Sequence, residues 1–138
     1  MGSQLSDPRP LSPFTTIWRW HITMLASILH RLSGVALYGG AFVLVAWLAA
    51  ASMGQTVYMR FVALMGSIPG LVVLFGLTLA LCFHLLNGVR HLVWDSGAGY
   101  EKQTADRSAW TVLILALLLT IAIWAAAWSG LGLLKIGG

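Results

Sequence analysis

The sequence predicts an all-α membrane protein with three transmembrane helices, and its composition and charge pattern lead to that fold class. Hydrophobic residue types make up 59% of the 138 residues and charged types only 9%, whereas a soluble domain carries about 25% charged residues. Mean hydropathy is +0.85. This composition excludes an ordinary soluble domain and a disordered chain. Three long runs contain no charged residue, at positions 32–59, 61–89 and 108–134.

Each uncharged run has the length of one membrane span. A bilayer core about 30 Å thick is crossed by roughly 20 apolar residues in a helix, so none of the runs holds two spans. We therefore expect a three-helix anchor domain over residues 29–134, with an N-terminal interfacial segment over 1–28 and a C-terminal tail over 135–138. The helices are expected near 29–51, 68–94 and 109–133.

Local signals place the ends of these helices. Met53-Gly54-Gln55 interrupts the first run, and Ser67 followed closely by Pro69 is typical of a helix start. The glycine-containing stretch 95–99 ends the second helix. Aromatic residues near the interface, with Arg19 among them, predict that the segment 14–26 lies at the membrane surface and leads into the first helix.

The distribution of Lys and Arg predicts the orientation. Positive residues near spans concentrate on the cytoplasmic side. Six of them lie in or next to the N-terminal flank and the loop after the second helix, against two on the other side. We expect the N-terminus and this loop in the cytoplasm and the C-terminus outside, with a bacterial inner membrane preferred to a mitochondrial one. The six residues are Arg9, Arg19, Arg31, Arg90, Lys102 and Arg107.

Nucleic-acid binding and cysteine-based chemistry are both excluded. The formal net charge is +4, but the basic residues are spread singly and form no basic stripe. The single cysteine, Cys82, rules out a disulfide framework and a cysteine-ligated metal cluster. We expect Cys82 to act as a small apolar filler.

His84 is the one ionisable residue deep in a predicted span. It lies about 9 Å along the helix from Arg90, inside the hydrocarbon region, and such a residue is a functional candidate. His84, Gly88 and His91 share one helix face. Imidazole is an axial ligand of haem iron, and a nearby glycine lets a flat macrocycle approach the backbone. The alternative is that His84 only hydrogen-bonds a neighbouring helix.

A second polar cluster lies at the cytoplasmic end of the first helix. Ser27 and Arg31 are one turn apart, and His30 lies beside them. A hydroxyl and a guanidinium together could hydrogen-bond a carbonyl oxygen of an otherwise apolar ligand, and the arginine also suits a haem propionate. The alternative is that Arg31 only anchors the helix at the interface.

The last turns of the second helix and the entry to the first helix have ordinary explanations. Arg90 and His91 lie near the negative end of the helix dipole, and Trp94 lies at the interface, so these residues could simply anchor the helix. His21 is expected to be interfacial and not a ligand.

Three motifs in order along the chain carry a family resemblance. They are Arg9-Pro10-Leu11-Ser12-Pro13, Ser27-x-x-His30-Arg31-x-Ser33-Gly34 and His84-x-x-Asn87-Gly88-x-Arg90-His91-Leu92-x-Trp94-Asp95. With these motifs the chain resembles the cytochrome b556 subunit of succinate dehydrogenase, the larger membrane-anchor subunit of succinate:quinone oxidoreductase. The match runs along nearly the whole chain and agrees with three spans.

The resemblance implies specific site residues. It implies that His84 is an axial ligand of the iron of haem b, and that Ser27 and Arg31 contribute to the ubiquinone site. It also implies that His30 and Arg31 lie near the haem propionates. Only one histidine lies deep in the membrane, and the resemblance implies that the second ligand comes from a sister anchor subunit with three spans. A pair formed with His30 within the chain is the alternative.

The resemblance further implies the partners and the overall reaction. A flavoprotein subunit would oxidise succinate and an iron–sulfur subunit would pass the electrons to the membrane, where ubiquinone is reduced. The chain would be enzymatic only within that complex. The alternatives are a quinol:fumarate reductase anchor, a haem-free structural subunit and a small transporter subunit. A transporter would need acidic residues within the membrane, and all four lie outside the predicted spans: Asp7, Asp95, Glu101 and Asp106.

Overall fold

The computed structural model describes residues 17–129, and the regular elements in this range are all helices. Three of the four helices are long and apolar enough to cross a membrane, which confirms the predicted all-α fold class with three spans. The arginine–proline motif at residues 9–13, the predicted end of the last helix at 133 and the tail at 135–138 lie outside the described residues. The helices are α1 (Ile22–Ser52), α2 (Gln55–Gly66), α3 (Ile68–Asp95) and α4 (Lys102–Ser129).

Two spanning helices begin earlier than the sequence predicted. The N-cap of α1 is His21, in extended conformation, so Ser27 lies within the helix. α4 begins at Lys102 and not at 109, and its first turn carries a Lys102–Asp106 ion pair of 3.9 Å. Charged residues mark where the membrane ends, but a helix continues beyond that edge because its backbone hydrogen bonds are satisfied internally.

The short helix α2 was not predicted, because the sequence analysis treated this segment as a connection between spans. Twelve residues give a length of about 18 Å, too short to cross a bilayer. Gly54, with a φ of 98°, makes the turn that precedes α2. The half-buried residues Val57, Phe61 and Met65 recur every fourth position, whereas Arg60 is exposed. That spacing was the signal for an amphipathic helix packed on α1 and α3.

The junction of α2 and α3 confirms the predicted helix start. Ser67 is the N-cap of α3, its hydroxyl accepts a hydrogen bond of 3.4 Å from the Gly70 amide, and Pro69 lies in the first turn. A Cβ at Gly70 would overlap the backbone of Leu64 and Met65. The corner therefore requires glycine.

Helix α3 lies at the centre and packs on both α1 and α4. The described core is small and consists of Cys82, Phe83, Val112 and Ala116, with Leu29, Leu86 and Leu113 against it. Cys82 is buried there, as expected for an apolar filler. Large apolar residues such as Val35, Tyr38 and Phe42 are exposed, and such faces need lipid or partner helices to cover them.

Candidate functional site

Three histidines from two helices converge at one end of the bundle. The ring of His84 on α3 is stacked on the ring of His30 on α1, with centroids 4.1 Å apart and planes 11° apart. The ring of His91, two turns after His84 on the same face of α3, lies 5.2 Å from that of His30. The structure thus joins the two polar clusters that the sequence placed on separate helices.

Two small residues of α1 lie beside the His84 ring. The Ser33 hydroxyl oxygen lies 3.1 Å from His84 Nδ1 and donates a 2.9 Å hydrogen bond to the His30 carbonyl. A Cβ at Gly34 would lie only 3.3 Å from His84 Cε1. The sequence analysis assigned no role to either residue. Their position, one turn after His30 within the same motif, was the signal available.

The cluster contains a polar atom without a partner. His30 Nδ1 is buried and has no hydrogen-bond partner among residues 17–129. Buried polar atoms in folded proteins are nearly always paired. An unpaired imidazole nitrogen beside a candidate ligand residue is suited to a polar group from outside the chain.

The stacked geometry decides against one sequence-based alternative. Two axial ligands of one haem iron lie on opposite sides of the macrocycle, each with a nitrogen directed at the metal. The His30 and His84 rings are face to face at 4.1 Å, which leaves no room for a macrocycle between them. This arrangement disfavours an iron ligand pair formed by His30 and His84.

Ser27 and Arg31 lie on α1 next to this cluster. Ser27 is half-buried and Arg31 is exposed, one turn apart on the helix as the sequence predicted. Gly88 lies on the same face of α3 as His84, and a Cβ there would meet nothing within 4 Å. The surface beside His84 is therefore open to a planar group.

Arg90, in contrast, is buried on another face of α3. Its side chain donates from Nε to Ser108 Oγ at 2.9 Å, from Nη2 to the Ala105 carbonyl at 3.0 Å and from Nη1 to Asn87 Oδ1 at 3.3 Å. Its Cζ lies 4.0 Å from the centroid of the Trp94 ring. Arg90 is thus a clamp between α3 and α4, not an interfacial anchor in contact with water.

Comparison with known proteins identifies the family of the chain. The family model for the succinate dehydrogenase/fumarate reductase transmembrane subunit matches residues 6–123, which is most of the chain. The chain belongs to this family. The match covers both motifs that form the histidine cluster.

Relatives within the family point to succinate dehydrogenase. The chain is 34% identical over 121 residues to the succinate dehydrogenase cytochrome b556 subunit of Rickettsia typhi, covering 88% of this chain and 94% of the relative. It is 36% identical over 124 residues to the mitochondrial cytochrome b560 subunit of Sus scrofa, covering 88% and 73%. These findings confirm the predicted family and the role of a membrane-anchor subunit of succinate dehydrogenase. They favour neither the fumarate-reductase nor the transporter alternative.

Proposed function

We propose that this anchor subunit holds haem b through His84 and forms part of the site where ubiquinone is reduced. One observation carries the haem assignment: the His84 ring is fixed between α1 and α3 by Ser33 and by the stacked His30 ring. An axial ligand needs such fixed orientation. The cytochrome b relatives support the same assignment.

The residues present fit a haem better than a bare metal ion. Within residues 17–129, no group of three His, Cys, Asp or Glu side chains is arranged to hold a bare metal ion. The open space at Gly88 and the unpartnered His30 Nδ1 suit the ring and a propionate, with Arg31 exposed beside them. When bound, the haem supplies a reversible one-electron centre.

The second axial ligand would come from a sister anchor subunit with three spans. The stacking of His30 on His84 argues against a ligand pair within the chain, and the exposed apolar faces of the spans leave surface for such a subunit to cover. The bundle completed by the sister subunit would bury the haem.

Ser27 and Arg31 would form the polar part of the quinone site. A quinone is apolar on its faces and polar at its carbonyls, so it needs an apolar slot with a few donors. Ser27 can donate through its hydroxyl. Arg31 can stabilise negative charge on the ring as it is reduced, without losing its own proton.

The electrons would come from two soluble subunits, a flavoprotein that oxidises succinate and an iron–sulfur subunit. This chain has a single cysteine, and an iron–sulfur cluster usually needs four cysteine ligands. The anchor therefore contributes the haem ligand and part of the quinone pocket, and the partners contribute the remaining redox centres.

Replacement of His84 tests the haem assignment. We expect His84→Leu in the assembled complex to remove or change the b-type reduced-minus-oxidised spectrum, because the iron loses an axial ligand. His21→Leu is the control, since His21 is an exposed N-cap residue that makes no side-chain capping bond. A wild-type spectrum and haem content in His84→Leu would contradict the assignment and favour a haem-free structural anchor.

We further propose that the N-terminus and the α3–α4 loop face the cytoplasm of a bacterial cell, as the Lys/Arg asymmetry indicates. Cysteines introduced at the exposed positions Gln103 and Thr56 lie on opposite sides of the span α3. We expect the first to react with an impermeant thiol reagent from the cytoplasmic side and the second from the outside. The buried Cys82 of the parent chain should not react. Labelling of both positions from one side would contradict the three-span topology.

A further inference from the structure

We infer that Ser33 is a positioning residue for His84. Its hydroxyl oxygen accepts a hydrogen bond from the Nδ1–H group of the imidazole, so that Nε2 would present its lone pair to the iron. The inference rests on the proposed function, because it assigns how the proposed haem ligand is prepared. Ser33 is itself buried at the contact of α1 and α3.

The direction of the Ser33–His84 hydrogen bond follows from counting protons. A serine hydroxyl has one proton. The His30 carbonyl, 2.9 Å from Ser33 Oγ, can only accept, so the hydroxyl proton lies in that bond. The contact of 3.1 Å between Oγ and His84 Nδ1 must then be filled by the proton of the ring nitrogen. The opposite direction would leave the contact to the carbonyl without a proton.

This assignment determines the tautomer of His84. In a neutral imidazole one nitrogen carries the proton and the other the lone pair, and the partner of the first selects which one binds a metal. A proton on Nδ1 leaves Nε2 as the ligand atom. Since Ser33 is buried, water does not readily replace its hydroxyl as the acceptor.

Two α1 residues also restrict the ring plane. His30 covers one face of the imidazole at a centroid distance of 4.1 Å, and Ser33 holds Nδ1. Gly34 has no side chain and so leaves room for the ring at Cε1. An outer hydrogen bond of this kind raises the basicity of the ligating nitrogen. A more basic ligand stabilises ferric over ferrous iron and so lowers the reduction potential.

The test compares three variants in the assembled complex by redox titration of the haem and by the low-spin ferric electron paramagnetic resonance signal. We expect Ser33→Ala to shift the midpoint potential to a more positive value and to displace the resonance signal. Ser33→Thr should move both back toward wild type, because a helical threonine hydroxyl bonds the carbonyl three or four residues earlier. Ser52→Ala is the matched control, since Ser52 makes the same bond to a carbonyl three residues earlier on an exposed surface.

Two results would overturn the inference. One is a wild-type potential and signal in Ser33→Ala, and the other is a Ser33→Thr variant that behaves like Ser33→Ala. If Ser33→Ala does not assemble, Ser33→Cys replaces it, because a thiol is a weaker acceptor. A smaller positive shift is then expected, and no shift would overturn the inference.

His84→Leu separates this inference from the proposed function. If the spectrum does not depend on His84, the haem assignment fails and the inference fails with it. If the spectrum depends on His84 but not on Ser33, only the role of Ser33 is wrong.

Discussion

Two faces of helix α3 show opposite ways of placing polar groups within a membrane protein. On one face, each of the three guanidinium nitrogens of Arg90 donates to a partner within the chain, and the group lies over Trp94. On the other face, His84 meets His30, whose Nδ1 is buried without a partner among the described residues. On the first face the guanidinium is fully paired and joins helices, although the buried Asn87 Nδ2 beside it has no partner among the described residues. The second face retains an unpaired ring nitrogen beside an open surface.

Hydrogen-bond pairing separates structural from functional polar residues better than depth in the membrane or residue type does. Arg90 and His84 are both ionisable, both on α3 and only six positions apart. Burying a charge is expensive unless hydrogen bonds compensate it, and Arg90 receives that compensation from α3 and α4. The unpaired Asn87 Nδ2 belongs to a side chain with no exposed surface. The unpaired His30 Nδ1 lies in a cluster beside the open surface at Gly88, which is the property of a binding site.

The largest expected effect concerns the Arg90 face. We expect Arg90→Gln to lower the free energy of unfolding by about 3 kcal/mol. Hydrogen bonds from a charged group contribute roughly 1.5–3 kcal/mol each, and the shorter Gln side chain retains only part of the three that Arg90 donates. Thermal unfolding of the purified complex measures this effect. The haem spectrum of the assembled complex should be unchanged at low temperature. Arg107→Gln is the control, since Arg107 is exposed on α4.

The contrast between the two faces of α3 would be contradicted if Arg90→Gln assembled with normal stability and a changed haem spectrum. Arg90 would then belong to the ligand site, and the two faces of α3 would not differ in role.

A smaller effect, confined to activity, is expected beside the histidine cluster. Arg31→Lys keeps the anchoring charge but loses the planar guanidinium fork, and Ser27→Ala loses the hydroxyl. We expect each to lower ubiquinone reductase activity severalfold, whereas succinate oxidation by a dye that accepts electrons upstream persists. Arg60→Lys is the matched control, because Arg60 is an exposed arginine on α2. Normal quinone kinetics in Arg31→Lys would favour the simple anchoring role.

The smallest effect is expected from one methyl group at the histidine cluster. In Gly34→Ala the new Cβ would lie 3.3 Å from His84 Cε1, so the ring must move by a few tenths of an ångström. We expect a small displacement of the ferric resonance signal with haem retained. Gly39→Ala is the control, since a Cβ there meets nothing within 4 Å. Identical signals in both variants would show that α1 does not restrict the ring.

Elements that depend on local chemistry were predictable from the sequence. The three spans follow from the uncharged runs, and the start of α3 follows from Ser67 and Pro69, because hydrophobic length and capping act over a few neighbouring residues. The first turns of α1 and α4 were missed, since charge marks the membrane edge and not the helix end. α2 was missed because its amphipathic pattern covers only a short segment, which was treated as a connection between two long spans.

The sequence by itself determined the membrane fold, the family and the identity of His84, Ser27 and Arg31 as candidates, because composition, spacing and motifs are properties of the chain alone. Only the tertiary structure decided how they combine. It stacked His30 on His84, placed Ser33 against His84 Nδ1 and turned Arg90 toward α4. These contacts join residues up to 54 positions apart. They depend on the rotation of each helix about its axis, which packing of whole helices sets and local sequence does not.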